Sequence, residues 1–142
     1  MKSLKGGYFI DTINDLICSK RKQPILVEVL KNPAATVTGW AVDERAKDVA
    51  HSVYVTLDGT PIACAQYGLD RRDVPEHFNI GKYRFSGWSA SINGSGFTSG
   101  EHKVSLRIVS KNKKSYYELE CGSIFIKVIK DWSAVQKLDR IP

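Results

Sequence analysis

The sequence predicts an all-β fold, an antiparallel β-sandwich of about seven to eight strands with one or two short helices, and three observations predict it. Runs rich in Val, Ile, Tyr and Trp recur along the chain, each bounded by Gly, Pro, Asn or Asp. Short turns join them. No long amphipathic helix lies between them, so the crossover helices of an α/β fold have no room, and Greek-key links between antiparallel strands follow. A closed barrel is the alternative arrangement.

In chain order, residues 8–18 read as a short leading strand or as one or two helical turns, and the polar stretch 20–24, closed by Pro24, is a loop. Strands are expected at 25–30, 36–42 and 52–57, the second and third split by the charged loop 43–48. Asp58-Gly59 comes next. Between two alternating runs this pair signals a type I′ hairpin, because both central residues of that turn need positive φ. A strand at 61–67 follows, then a polar stretch, 69–78, with room for a short helix starting near Asp73. Residues 85–92 return to strand, and 93–100 form a Gly/Ser-rich turn. In 101–109, Val104, Leu106 and Ile108 point inward against Lys103, Ser105 and Arg107. Turn 111–114, strands 116–121 and 124–129, and a short helix over 131–138 capped by Asp131 or Ser133 complete the chain. The organisation is a leading segment 1–24 that can serve as an edge strand, a sandwich domain 25–130 and a C-terminal tail or short helix 131–142.

Composition agrees with one folded domain: 142 residues with 42% hydrophobic content bury one core. The formal charge of +6 favours acidic partners, but the basic residues are dispersed (Lys20 to Lys22, Arg71 and Arg72, Lys111 to Lys114), which is the pattern of a solvated surface. Cys18, Cys64 and Cys121 are an odd count without C-x-x-C spacing. Cys64 and Cys121 lie in strand-like runs, where free buried thiols and a disulfide across the sandwich are both open readings. No stretch approaches the ~20 apolar residues that cross a bilayer, and residues 1–14 lack the apolar core of an export signal. Membrane insertion by this chain is therefore not expected, and the compartment stays open. A fragment of a larger exported protein would belong to the cell envelope.

Chemistry-bearing patterns are sparse. His51, His77 and His102 stand apart without metal-ligand spacing, and His102 beside a glycine turn reads as structural. Gly94-Ser95-Gly96 has the wrong spacing for a phosphate loop and reads as a turn; Asn93-Gly94-Ser95 is a sequon with meaning only in an exported domain. Asp43, Glu44 and Asp48, or Asp70 with Asp73, have oxygen ligands suited to calcium, yet turn and helix caps explain them better. No nucleophile sits in a catalytic context, so neither an enzyme nor a cofactor is expected. Trp40 and Trp88, both following glycines in strands, are expected to pack between the sheets. Tyr116 and Tyr117 must point to opposite faces of their strand.

Gly39-Trp40-Ala41-Val42-Asp43, Leu57-Asp58-Gly59, the stretch from Tyr67-Gly68-Leu69 through Arg71 to Asp73-Val74, Ser86-Gly87-Trp88 and Gly100-Glu101-His102-Lys103-Val104 occur in that order. Together they resemble bacterial immunoglobulin-like modules over residues 10–129, the type appended to envelope or glycan-handling proteins. The resemblance implies an immunoglobulin-like accessory sandwich without catalytic residues. Function on this reading is binding, with glycan or protein as partner and nucleic acid ranked below them. The candidate ligand contacts are Tyr67, Asp70, Arg71, Arg72 and Asp73, with Tyr116 and Tyr117 as the nearby aromatics. The alternatives are an assembly subunit that pairs through a strand edge and, third, a nucleic-acid binder with a basic face.

Overall fold

A computed structural model of the chain describes residues 2–4, 8–13, 16–17, 25–30, 35–92 and 100–129. Among these, two sheets are stacked into a sandwich. The first joins β1 (Lys2–Leu4), β4 (Ile25–Leu30), β6 (Ser52–Leu57), β7 (Thr60–Cys64), β10 (Gly100–Val109) and β11 (Ser115–Ile129). The second runs in the order β3 (Leu16–Ile17), β2 (Tyr8–Ile13), β5 (Ala35–Ala41), β9 (Gly87–Ile92), β8 (Gln66–Leu69). Pairing is antiparallel except where β1 and β4 each join β11 in parallel.

One core holds both sheets together. Val53, Val55, Leu57, Val104, Leu106 and Ile108 from the first meet Ile10, Ile13, Val37, Trp88 and Ile92 from the second. Each fully buried aliphatic side chain contributes about 1.5–3 kcal/mol, so this interleaved set is the main source of stability. The expected inward row of β10 is present, with Val104, Leu106 and Ile108 fully buried. Because β2 supplies Ile10 and Ile13, the leading segment is integral to the core.

Strands β4 and β6 match the sequence reading, and the Asp58-Gly59 turn has φ of 51° and 83°, both positive as a type I′ hairpin requires. Three differences have physical causes. The run expected at 61–67 divides into β7 and β8, which lie in different sheets; the chain crosses between them at buried Ala65, whose N–H donates to Val53 O at 2.8 Å. The two runs expected at 116–121 and 124–129 are one strand, β11, but its register against β10 breaks between Lys103 and Ser105. There, Phe125 and Glu120 flank the extra residues that the sequence showed as an interruption. Its two halves then take different parallel partners, β1 and β4. The division of 61–67 and the short strands β1 and β3 outweigh the merger at β11, so the described residues hold more strands than the expected seven to eight.

The third difference concerns the tryptophans. Trp88 is 1% exposed in the core, as expected, whereas Trp40 is only half-buried and lies on the outer face of β5. Register decides this. In the β5–β9 ladder Gly39 opposes Trp88 and Trp40 opposes Gly87, and opposed residues share a face, so the two indoles point to opposite sides. The turn 93–99, including the sequon, and the helix expected over 131–138 lie outside the described residues.

Candidate functional site

Outside the second sheet, a short helix α1 (Asp73–Phe78) and a 3₁₀ turn (Gly81–Tyr83) cover Trp40. Pro75 falls within the first helical turn, where a missing N–H costs nothing, and Asp73 and Glu76 suit the positive end of the helix. Asn79 ends the helix in the left-handed region with φ of 55°, and Ile80 N–H bonds back to Pro75 O at 3.1 Å. Buried Val74 and Tyr83 pack with Val42 beneath them, forming a small second core against Trp40 and Ile80.

Between Trp40 and α1 is an open groove of about 550 Å³, lined by Trp40, Asp73, Val74, Glu76, His77 and Phe78. Its aromatic rings form an edge-to-face chain. Phe78 lies 5.3 Å from Trp40, 5.8 Å from Tyr83 and 4.7 Å from the His77 ring, all steeply inclined. Phe78 keeps 38% of its surface in solvent at the end of the helix. Beside the rings sit two carboxylates. Asp73 is held by Arg71, with Nε to Oδ1 at 2.9 Å and Nη2 to Oδ2 at 2.7 Å, and that guanidinium keeps the Asp73 carboxyl below its ordinary range. Glu76 and His77 are exposed.

The residues expected to touch ligand are distributed differently. Tyr67 is a structural pin: its hydroxyl donates to Ala41 O at 2.6 Å and accepts from Ala50 N–H at 2.9 Å, and burial pushes its pKa up to about 12. Arg71 is a strut across the outer sheet face. Beyond Asp73, its Nη1 reaches Asp11, which projects at the irregularity between Ile10 and Thr12 in β2. It passes directly over Gly87, where a Cβ would stand 2.8 Å from Arg71 Cγ and 3.0 Å from Leu69 O, so the glycine is a steric requirement. Asp70 accepts both Nε and Nη2 of Arg84, at 3.1 and 3.0 Å, and those bonds lower its pKa. Arg72 is 79% exposed with only a 4.0 Å approach to Asp70.

Tyr116 and Tyr117 do point to opposite faces. Tyr117 is 1% exposed and its hydroxyl donates to Asp43, while Tyr116 lies on the outer face of the first sheet with Arg107 4.8 Å above its ring. Of the expected contacts, the groove therefore brings in Asp73; Trp40, weighed as a stacking aromatic but expected in the core, lines it too, and Glu76, His77 and Phe78 join it without having been singled out by the sequence. For Glu76, His77 and Phe78 the sequence signal was the short helix expected to start near Asp73. Asp43 caps its own turn as expected, accepting Arg45 and Ala46 N–H at 3.1 Å each. His102 Nδ1 lies 2.6 Å from Asp58 Oδ2 at the hairpin, and Cys64 is an exposed free thiol on edge strand β7.

Among the described residues, no three His, Cys, Asp or Glu side chains converge to hold a metal ion, and no helix is long and apolar enough to cross a membrane. No protein-family model matches the chain, and no curated protein matches it.

Proposed function

We propose that the chain is a non-catalytic binding module and that the groove beside α1 takes a sugar ring of a glycan. The observation that carries this reading is the pairing of solvent-facing Phe78 with half-buried Trp40, 5.3 Å apart, beside the Asp73 and Glu76 carboxylates in one open groove. Aromatic faces attract the weakly positive C–H face of a pyranose, and carboxylates accept its hydroxyl protons. The Arg71 fork fixes Asp73 before ligand arrives, so little ordering is lost on binding. An open groove suits an internal segment of a polymer as well as its end.

The test is a glycan array followed by calorimetry on the strongest hit, with Phe78→Ala and Glu76→Gln beside the unsubstituted protein. Each substitution is expected to weaken binding about tenfold or more, equivalent to ~1.4 kcal/mol, while circular dichroism stays unchanged. Silence on the array, or a hit indifferent to both substitutions, rejects the reading.

A second reading, an assembly subunit, has its own observation. Leu69 and Phe85 are 36% and 51% exposed close to edge strand β8. Sedimentation across a hundredfold concentration range separates the two: a mass that rises without added glycan favours assembly.

A further inference from the structure

The turns 43–48 and 110–115 enclose a second hollow of about 570 Å³, lined by Arg45, Lys111, Asn112 and Ser115 above a floor of Asp43 and Tyr117. The floor carboxylate is already engaged by donors from the protein. Asp43 is 3% exposed, and it already accepts the N–H groups of Arg45, Ala46 and Lys111 and the Tyr117 hydroxyl. Three of these donors converge on Oδ1 and one on Oδ2, so most of the carboxylate's accepting capacity is already used. The Lys111 ammonium is bound in turn to Asp48.

What the hollow retains is donor capacity. Asn112 Oδ1 accepts from Ser110 Oγ at 2.7 Å and Lys114 N–H at 2.8 Å, which leaves its NH₂ without a partner among the described residues. The Arg45 guanidinium and the Ser115 hydroxyl likewise have no partner among the described residues. Lys47, Lys113 and Lys114 stand exposed on the same two turns, without a carboxylate partner among the described residues, and Glu44 is the one acid there left unpaired. A cluster of free donors with excess positive charge, over a floor whose single carboxylate already accepts four donors, fits a tetrahedral oxyanion better than a metal ion. We propose that this hollow binds a phosphate or sulfate group, gripped by the Arg45 fork with Asn112 and Ser115 donating from the opposite turn. The site is separate from the groove beside α1 and stands whether or not that groove takes sugar.

The test is a titration of isotope-labelled protein with inorganic phosphate, followed by amide chemical shifts at ionic strength held constant with chloride, and repeated with glucose 6-phosphate. Saturable shifts confined to residues 45, 112 and 115 and their neighbours are expected, weakened at least tenfold in Arg45→Gln. Asn112→Asp, which keeps the acceptor and replaces the donor by a negative charge, is expected to weaken binding at least as much and carries the test if Arg45→Gln does not fold. Equal affinity for both ligands assigns the site to the free anion, and tighter sugar phosphate assigns it to an ester. Shifts that rise without saturating, that chloride reproduces, or that persist undiminished in both variants overturn the proposal.

Discussion

Two neighbouring regions, the segment from Tyr67 to Asp73 and the surface from Glu76 to Phe78, put similar chemistry to opposite uses. In the first, Tyr67, Asp70 and Arg71 all have their polar atoms bonded within the protein. In the second, Glu76, His77 and Phe78 face solvent around a groove. Arg71 and Arg72 show the same division one residue apart: the first ties β2 to α1, and the second is 79% exposed. Residues that look like a motif are here the ones that hold the fold. The ring faces and polar groups left to solvent belong mainly to the second region.

The largest effect that would sharpen this contrast belongs to the structural side. Asp43→Ala removes the acceptor for four donors, three of them backbone N–H groups from two turns. Each buried donor left unpaired costs on the order of 1 kcal/mol or more, so a loss of about 3–4 kcal/mol is expected in urea denaturation. A loss below about 1 kcal/mol would mean that water replaces Asp43, and the division between structural and free groups would fail there.

Next in size is the arginine pair. Arg71→Met leaves Asp11 and Asp73 without their shared cation; with the side chains partly exposed, the cost is about 2 kcal/mol. Arg72→Met is expected to leave the denaturation midpoint unchanged. Equal effects from the two would break the comparison.

Changes of pH probe the same bonds from both sides. Burial raises Tyr67 and Tyr117 to about 12, with Asp43 adding to the effect at Tyr117. Below pH 10 both states keep these protons, and above it the unfolded chain ionises first. Stability is therefore expected to fall between pH 10 and about 12, read by thermal melts alongside tyrosinate absorbance. At the acid side, burial alone would raise Asp43, but the donors from Tyr117 and the backbone outweigh it and its pKa is lowered from 3.8. The stability it adds is present above that value and is lost as pH falls through the lower folded-state value.

How far the sequence reached follows from the range of the interactions. Local rules located the Asp58-Gly59 hairpin, β4, β6 and the inward row of β10, because turn chemistry and alternation act within a few residues. The crossing at Ala65 was invisible, since an apolar run looks the same whether it stays in one sheet or changes sheets. Parallel pairing of β11 with β1 and β4 joins residues roughly a hundred apart, and no local pattern encodes it. Trp40 and Trp88, alike in following glycine, became distinguishable only with the β5–β9 register. The groove was half legible: Asp73 and a short helix after it were read, but which helical side chains stay uncovered depends on how α1 lies over Trp40.

The smallest predicted effect tests a detail of turn chemistry at the same scale. Residues 111–114 read correctly as a turn, yet the left-handed position went to Lys113, with φ of 66°, although Asn112 beside it tolerates that conformation better. The reason is that the Asn112 side-chain carbonyl is committed to Ser110 Oγ and Lys114 N–H, which fixes Asn112 one position earlier and passes the strained φ to the lysine. Lys113→Gly relieves the Cβ clash at that φ and at the same time adds freedom to the unfolded chain, so the gain is the small difference of the two. A rise in stability of about 0.5 kcal/mol is expected, measured as a shift in denaturant midpoint at constant slope. A fall instead would show that the Lys113 side chain contributes more to the turn than its backbone strain removes.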